Sequence, residues 1–528
     1  MSEELSLRDI RLQKLARMRE LGHDPFAIEK FDRSGTAAQL LERFDSLSEE
    51  KTTISYAGRV VSYRDMGKAG FAHLSDGDGK VQVYCRKDEL GDVAWELYQL
   101  LDIGDHVGVE GFMFLTKTGE KSIHVTKLMP LTKSLEVLPL GKVREVKDEA
   151  GNPVLDATGK PLTEHWYGLE DVEQRYRHRH LDLLTNQEAR KALLDRARIV
   201  SAVRRYFDGA GYLEVETPLL QVVAGGAAAR PFKTHYNHYD MEVKLRISLE
   251  LYLKRLICGD IPAVYEVGRV FRNEGVSNRH SPEFTLLEFY EAYTDLEGMM
   301  RRVEEMFAFV TKEVYGSPIC PIGPIGPIDF SKPWRRVDLL DEISLLSGLD
   351  RSDLSDLGKA KSAIQAKGVL DRAHELGDHI DLAKEDNLGG LLEKLLEVFV
   401  EPTLQEPTFV VGYPIETSPL AKKDPNNPRM TRRFEGYILG REICNAFSEI
   451  NDPIDQKERF EQQGQELAKG DDEAHPYDHE FLYALECGMP PTGGCGIGME
   501  RLAMVLTGCE HIREIMFFPM MKPEEQKG

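Results

Sequence analysis

Residues 265–290 read YEVGRVFRNEGVSNRHSPEFTLLEFY. Tyr265 to Glu274 is dense in β-formers, Gly275 to Pro282 is a run of polar turn residues, and the segment then returns to strand composition. An antiparallel hairpin is expected. Side chains alternate across a strand, which places Arg272 and Glu274 on one face of the first arm and Phe284, Leu286, Glu288 and Tyr290 on one face of the second. Pairing the arms would gather a guanidinium, two carboxylates, a phenol and an aromatic ring on one surface. A guanidinium fork suits carboxylate or phosphate, a Phe face stacks on a base, and Glu with Tyr holds an amine. A merely solvated hairpin would not need Phe284 between the charges.

Outward from this hairpin, the 528 residues are enough for two or three domains of ordinary globular composition. No apolar run approaches the roughly 20 residues of a membrane span, and MSEELSLRDIRLQ lacks an apolar signal region, so a cytoplasmic protein is expected. The seven cysteines, scattered and without a CxxC pair, read as reduced thiols and indicate neither a zinc site nor a disulfide framework. A net charge of −22 argues against nonspecific coating of nucleic acid, while leaving room for a local basic surface that meets one polyanion.

Leu5 to Leu21 reads as an amphipathic helix stopped by Gly22 and Pro25. Its row of Arg8, Arg11 and Lys14 could track phosphates or form a solvated face. From Ile54 to about Thr132, five short alternating runs surround a helical piece near Asp88 to Leu101, the pattern of a small Greek-key barrel of the OB type. Such barrels stack bases on aromatics beside polar readers, and Phe71, Gln82 and Glu120 form a base-reading set suited to uracil's edge. Leu138 to Gly168 is a polar connector read as a surface hairpin or flexible insertion. Glu188 to Ala210 is helical and leads to a strand closed by Pro218, and GGAAARPF then brings backbone close to the surface. Ser248 could cap the helix that begins near Glu250. PICPIGPIGPIDF is a stiff loop, and Val337 to Pro402 is largely helical.

Glu435, Glu442 and Glu449 recur every seven residues, which on a helix would share a face, but Gly436, Gly440 and the β-rich content favour two strands. On ideal strands Asn445 and Glu449 share a face and Glu442 points away, so convergence requires a bulge that the pattern does not specify. Near the C-terminus, GGCGIGMERL fits neither a Rossmann nor a Walker A spacing. Arg501 would stand in the first turn of a helix, where a cation opposes the dipole unless a ligand offsets it.

Arg272-Asn273-Glu274, the loop carrying His280, and Phe284 resemble motif 2 of class II aminoacyl-tRNA synthetases, and the full string is similar to that of the lysyl-tRNA synthetases of subclass IIb. The helix and strand before Pro218 resemble motif 1, which in that family forms the dimer interface, and Gly493 to Leu502 resembles motif 3. The resemblance implies catalytic roles for Arg272 and Arg501. It puts Arg272 on the amino-acid carboxylate and α-phosphate, Glu274 on the adenine amine, His280 on the outer phosphates, Phe284 on the adenine ring, and Arg501 on adenine and the γ-phosphate. Gly226, Glu250, Glu288, Tyr290, Asn445 and Glu449 match lysine contacts, Glu435 and Glu442 match magnesium ligands, and Phe71, Gln82 and Glu120 match anticodon readers. Ser281 departs from the Asn expected there, and no contact is carried over to it.

The implied fold is α+β, an N-terminal OB-type β-barrel joined to a class II antiparallel-sheet catalytic domain with helices and a helical insertion. The expected division is 1–50 basic helical extension, 51–135 barrel, 136–180 linker and 181–528 catalytic domain, with the insertion at about 337–402. The implied reaction activates L-lysine with ATP and Mg2+ and passes it to lysine tRNA, in a cytoplasmic homodimer with no membrane association. Competing readings are an aspartyl or asparaginyl enzyme of the same subclass, which would want a cation where Glu288 and Glu449 stand, and a non-catalytic nucleic-acid-binding paralogue.

Overall fold

Period-2 alternation shapes the N-terminal part of the chain. In the computed structural model, Ile54, Tyr56 and Val60 on one strand and Val81, Val83 and Cys85 on another turn inward, while their neighbours face out. Five strands close on themselves in the order Ile54–Asp65, Ala69–Ser75, Lys80–Arg86, Lys121–Thr132, His106–Leu115. The helix Lys87–Gln99 adds Trp95 and Tyr98, stacked 5.1 Å apart, to the barrel core. The expected OB-type barrel is therefore present strand for strand.

The helix Leu7–Glu20 starts at a Ser6–Asp9 capping box and buries Leu15 and Met18. Its basic row is not one uniform face: Arg8 stays exposed, Lys14 is half-buried and Arg11 is buried. Arg11 is buried and donates to the carbonyls of Ile103, Ser134 and Glu136, Arg8 pairs with Glu136, and Lys14 pairs with Asp102.

The structure describes residues 6–140, 142–145, 163–166, 168–468 and 476–524. It divides into two units, Met1–Arg175 and Tyr176–Gly528. Within the expected linker, Lys142–Glu145 pairs antiparallel with Thr163–Trp166, and the rest of the polar insertion, 146–162, lies outside the described residues.

The second unit is built on an eight-stranded sheet ordered Arg335–Asp338, Thr408–Val411, Arg433–Ile438, Arg441–Ser448, Thr492–Gly498, Glu283–Ala292, Ala263–Phe271, Leu213–Glu214. It is antiparallel except for the outermost pair at each edge. The hairpin forms as expected, with Glu266 opposite Glu288 and Val270 opposite Phe284. Its first strand ends at Phe271, three residues earlier than the composition suggests. Arg272 makes one further rung to Pro282 and the chain then turns away, so Glu274 stands in the loop.

Alternation now separates the two faces of the hairpin. Tyr265, Leu287 and Phe289 pack against the helices Gln187–Gly209 and Leu296–Tyr315, with Phe207 4.7 Å from Phe289 and 5.1 Å from Tyr265. Each such buried ring contributes roughly 2–3 kcal/mol. The opposite face carries Phe284, Leu286, Glu288 and Tyr290 and is free to be a site. The helices expected within 337–402 are present as Leu339–Ser347, Leu357–Ala366, Val369–Glu375 and Leu388–Leu395, and their apolar residues pack with Val337, Val410 and Tyr437 of the sheet.

Candidate active site

A cavity of about 930 Å³ opens over the polar face of the hairpin, bounded by the third strand-to-helix junction at Gly498 and by loops at 226–228 and 384–387. Gly226 sits at φ +90, a left-handed conformation that favours glycine, and a Cβ there would lie 2.9 Å from Ser248 Oγ. The cavity has two chemically distinct ends.

One end is cationic. Arg272, Glu274, His280, Phe284, Glu442 and Arg501 all line it. The Arg272 guanidinium lies 5.2 Å from the Phe284 ring centre, and its Nε is buried with no hydrogen-bond partner among the described residues. Burial holds this guanidinium below its ordinary range, which leaves a cation poorly compensated by protein. Arg501 enters from the first turn of the helix Met499–Thr507 and donates to the Glu442 carboxylate at 2.9 Å and the Glu442 carbonyl at 2.8 Å. Its Nη2 lies 3.3 Å from His280 Nε2. Burial and the Arg501 charge push His280 down, so the imidazole is neutral near pH 7.

The other end is anionic. Glu288 is 4 % exposed, accepts from Ser248 Oγ at 2.8 Å and Leu249 N at 3.0 Å on one oxygen, and from Tyr290 Oη at 2.9 Å on the other. Burial, aided by Glu250, pushes its pKa up to about 7. Glu250, in the first turn of the helix Glu250–Cys258, is held above its ordinary range chiefly by burial. Ser248 Oγ accepts from Glu250 N at 3.2 Å, so the expected cap bond exists as part of a network that also holds Glu288. Glu449 is fully buried behind the cavity wall, raised by burial, and its Oε1 has no hydrogen-bond partner among the described residues. Gly494 makes room for it, since a Cβ there would collide with Glu449 Oε1 and the Tyr290 ring.

The seven-residue glutamate spacing resolves into strands, as the composition favoured. Glu435 pairs directly with Asn445, and the register then slips so that Gly436 faces Cys444 while Tyr437 faces Glu442. The extra residue is Ile443. This bulge reverses the parity of the strand and turns Glu442 to the same side as Asn445, the rearrangement that ideal strands forbid.

Glu435 stands behind the cavity rather than on it, accepting from Arg433 at 2.5 Å, Tyr437 at 2.6 Å and Tyr413 at 2.8 Å. A carboxylate has about four lone-pair sites, so one remains. Burial, opposed by Arg433 and reinforced by the Glu442 charge, raises Glu435, while burial at Glu442 is overcome by Arg501 together with Arg433 and Arg272, which hold it below its ordinary range. Among the described residues no set of three or more His, Cys, Asp or Glu is placed to hold a metal. Two hard carboxylates without a third protein ligand suit magnesium, which commonly combines one or two carboxylates with substrate phosphates.

On the barrel, Gln82 Nε2 donates to Glu120 at 2.6 Å, and His73 sits 2.7 Å from the other Glu120 oxygen. Phe71 is 4.8 Å from Tyr84 on the same outer face. Thus Phe71, Gln82 and Glu120 share one surface, joined by His73, Tyr84, Phe112, Phe114 and His124, whose aromatic cluster the sequence reading missed.

Two basic residues were missed as well, Arg433 on the cavity wall and Lys254 behind it. Arg433 holds Glu435 and donates to Asn445 Oδ1 at 3.0 Å, and fully buried Lys254 bonds Glu250 at 2.6 Å and pairs with Glu449. The i,i+4 spacing of Glu250 and Lys254 was the available signal, although that spacing usually marks an exposed pair.

The family model described as tRNA synthetases class II (D, K and N) matches residues 171–522, and the one described as OB-fold nucleic acid binding domain matches residues 54–131. A lysine–tRNA ligase of Syntrophomonas wolfei subsp. wolfei is 47% identical over 522 residues, covering 99% of this chain and 98% of that protein. A lysine–tRNA ligase of Staphylococcus aureus is 44% identical over 530 residues, covering 99% and 100%.

Proposed function

This chain belongs to the class II (D, K and N) tRNA synthetase family, and from that premise we propose that it joins lysine to tRNA in two steps. Lysine's carboxylate attacks the α-phosphate of ATP, giving lysyl-adenylate and pyrophosphate, and the lysyl group then passes to the 3′ end of lysine tRNA. The observation that carries the amino acid's identity is the anionic end of the cavity. Glu250, Glu288 and Glu449 are buried there together, and Glu449 Oε1 has no hydrogen-bond partner among the described residues. Two substrate ammonium groups supply what these carboxylates lack. An aspartate or asparagine side chain would leave them uncompensated, which costs on the order of several kcal/mol. The non-catalytic reading is disfavoured because Arg272, Glu274, Glu442 and Arg501 all line one cavity, with Glu435 directly behind.

The residues then divide the work. Glu250 takes the α-ammonium and Glu288, Tyr290 and Glu449 the side-chain ammonium, with Gly226 and Asn445 completing the lysine contacts. Arg272 spans the attacking carboxylate and the α-phosphate, so its poorly compensated charge meets the charge that develops in the transition state. Phe284 supports the adenine ring, Glu274 accepts from its amine, and His280 and Arg501 meet the outer phosphates. Glu435 and Glu442 would hold magnesium, which when bound supplies positive charge to the phosphates. No covalent enzyme nucleophile is needed, because positioning and charge stabilisation suffice.

Phe71, Gln82 and Glu120 read the anticodon. Leu213, Leu219, Leu220 and Val222, exposed by 38–60 %, support a homodimer formed through the region that resembles motif 1. No helix among the described residues is long and apolar enough to cross a membrane, in keeping with work in the cytoplasm. The test is pyrophosphate exchange into ATP with each standard amino acid and magnesium, followed by tRNA charging. Exchange with lysine alone and lysylated tRNA are the expected results, and exchange with another amino acid overturns the reading.

A further inference from the structure

Lys254 has no exposed surface at all. It lies on the inward face of the helix Glu250–Cys258, one turn after Glu250, with its ammonium 5.5 Å from the ring centres of both Phe447 and Phe481. The ammonium bonds Glu250 at 2.6 Å and pairs with Glu449 Oε2, bridging two carboxylates that come from different elements. A lysine is among the costliest side chains to bury, and one placed here for stability alone would need only one partner.

Resting on the lysine reading above, we propose that Lys254 is a positioning and specificity residue, an internal counter-ion that fixes Glu250 and Glu449 and sets the charge of the amino-acid pocket. When ionised, as they must be to hold ammonium groups, Glu250, Glu288 and Glu449 offer three negative charges, and Lys254 offsets one. Two remain, and lysine brings two ammonium groups to them. Arg433 also lowers Glu250 by its charge, but its own carboxylate partner is Glu435, with the Tyr413 ring centre 4.4 Å away, so that pair is neutral in this count. The aromatic rings over Lys254 keep water from screening the arrangement, and the ammonium cannot leave when substrate arrives because both its partners are needed in place. Lys254 touches no substrate atom itself. It acts through Glu250 and Glu449.

The test separates this role from a merely structural one. In the Lys254→Met protein, which keeps the length of the side chain without its charge, the KM for lysine should rise about 30-fold or more, with the KM for ATP within about threefold and kcat falling much less than kcat/KM. Lys254→Gln, which keeps a donor for the carboxylates, serves if the Met protein fails to melt cooperatively, and should raise the same KM about tenfold. Adding Glu449→Gln to either should cost less than it does in the unaltered protein, since the surplus charge is already present. A folded variant whose lysine KM stays within about threefold, or whose ATP KM rises as far as its lysine KM, overturns the inference. Lysine-dependent exchange by the unaltered protein is the control that keeps such a failure distinct from failure of the functional reading.

Discussion

The two ends of the cavity use the same residue types in opposite ways. At the phosphate end buried Glu435 pairs with Arg433 and half-exposed Glu442 with Arg501, and the group left poorly compensated is a cation, Arg272. At the amino-acid end three carboxylates share one ammonium, and what is left over is negative. Each end therefore carries a surplus of the sign its ligand lacks, and burial keeps water from satisfying it. The contrast teaches that a salt bridge within a site is not a sign of idle residues; what matters is the charge that remains after the internal pairs are counted.

The contrast breaks most visibly at Arg272. Arg272→Ala should lower kcat/KM for pyrophosphate exchange by about a thousandfold or more, because the lost cation acts where transition-state charge develops. A fall of less than tenfold would mean that the surplus positive charge at this end is not used in chemistry. Glu288→Gln comes next. It retains the shape that receives Ser248 and Tyr290 but removes a charge, and the lysine KM should rise about 100-fold while the ATP KM stays within threefold. If both constants moved together, the two ends would not be separable.

Much of this arrangement was legible beforehand, and the exceptions share a cause. The hairpin could be read because alternation and turn chemistry are local, and its even-numbered face carried the charges. The three glutamates at 435, 442 and 449 could not be assembled from pattern alone, since the bulge at Ile443 is set by the partner strand and by close packing, where a Cβ at Gly436 would strike Cys444. Lys254 escaped notice because its spacing from Glu250 is that of an exposed helical pair, and nothing local says that this face turns inward. The burial of Arg11 and half-burial of Lys14 beside exposed Arg8 escaped notice for the same reason: a basic row looks alike whether it faces solvent or the loops of its own barrel.

Acid separates the ends without mutation. With Glu288 raised to about 7 in the empty pocket, lowering the pH from 8 to 6 adds a proton to a group that must be charged to hold an ammonium. The lysine KM should therefore rise by up to about tenfold per pH unit below 7, while the ATP KM changes much less. Calorimetry in buffers of different ionisation enthalpy should show proton release when lysine binds near pH 7. The sign for stability is opposite to that for binding. A carboxyl raised from 4.5 to about 7 binds more protons folded than unfolded across that interval, so its contribution to the stability of the free protein falls as pH rises through it. Lysine binding that is flat between pH 6 and 8 would remove Glu288 from the surplus.

The smallest effect is expected at Ser248, and it discriminates most finely. Its hydroxyl donates to Glu288 and accepts from the backbone of Glu250, so it touches two of the three acidic residues of the anionic end without adding charge. Ser248→Ala removes a donor that favours the ionised form of Glu288, and a hydrogen bond of this kind to a charged group contributes about 1–2 kcal/mol. Two consequences are coupled. At alkaline pH, well above the pKa reached without the hydroxyl, Glu288 is ionised in both proteins and the lysine KM should rise only about threefold. At pH 6.5 the same substitution should cost about tenfold, because the titration of Glu288 has moved further up and a larger share of the pocket is protonated. A pH-independent loss would instead place the role of Ser248 in shaping the start of the helix at Glu250, and the surplus charge at this end would then be governed by burial and Lys254 alone.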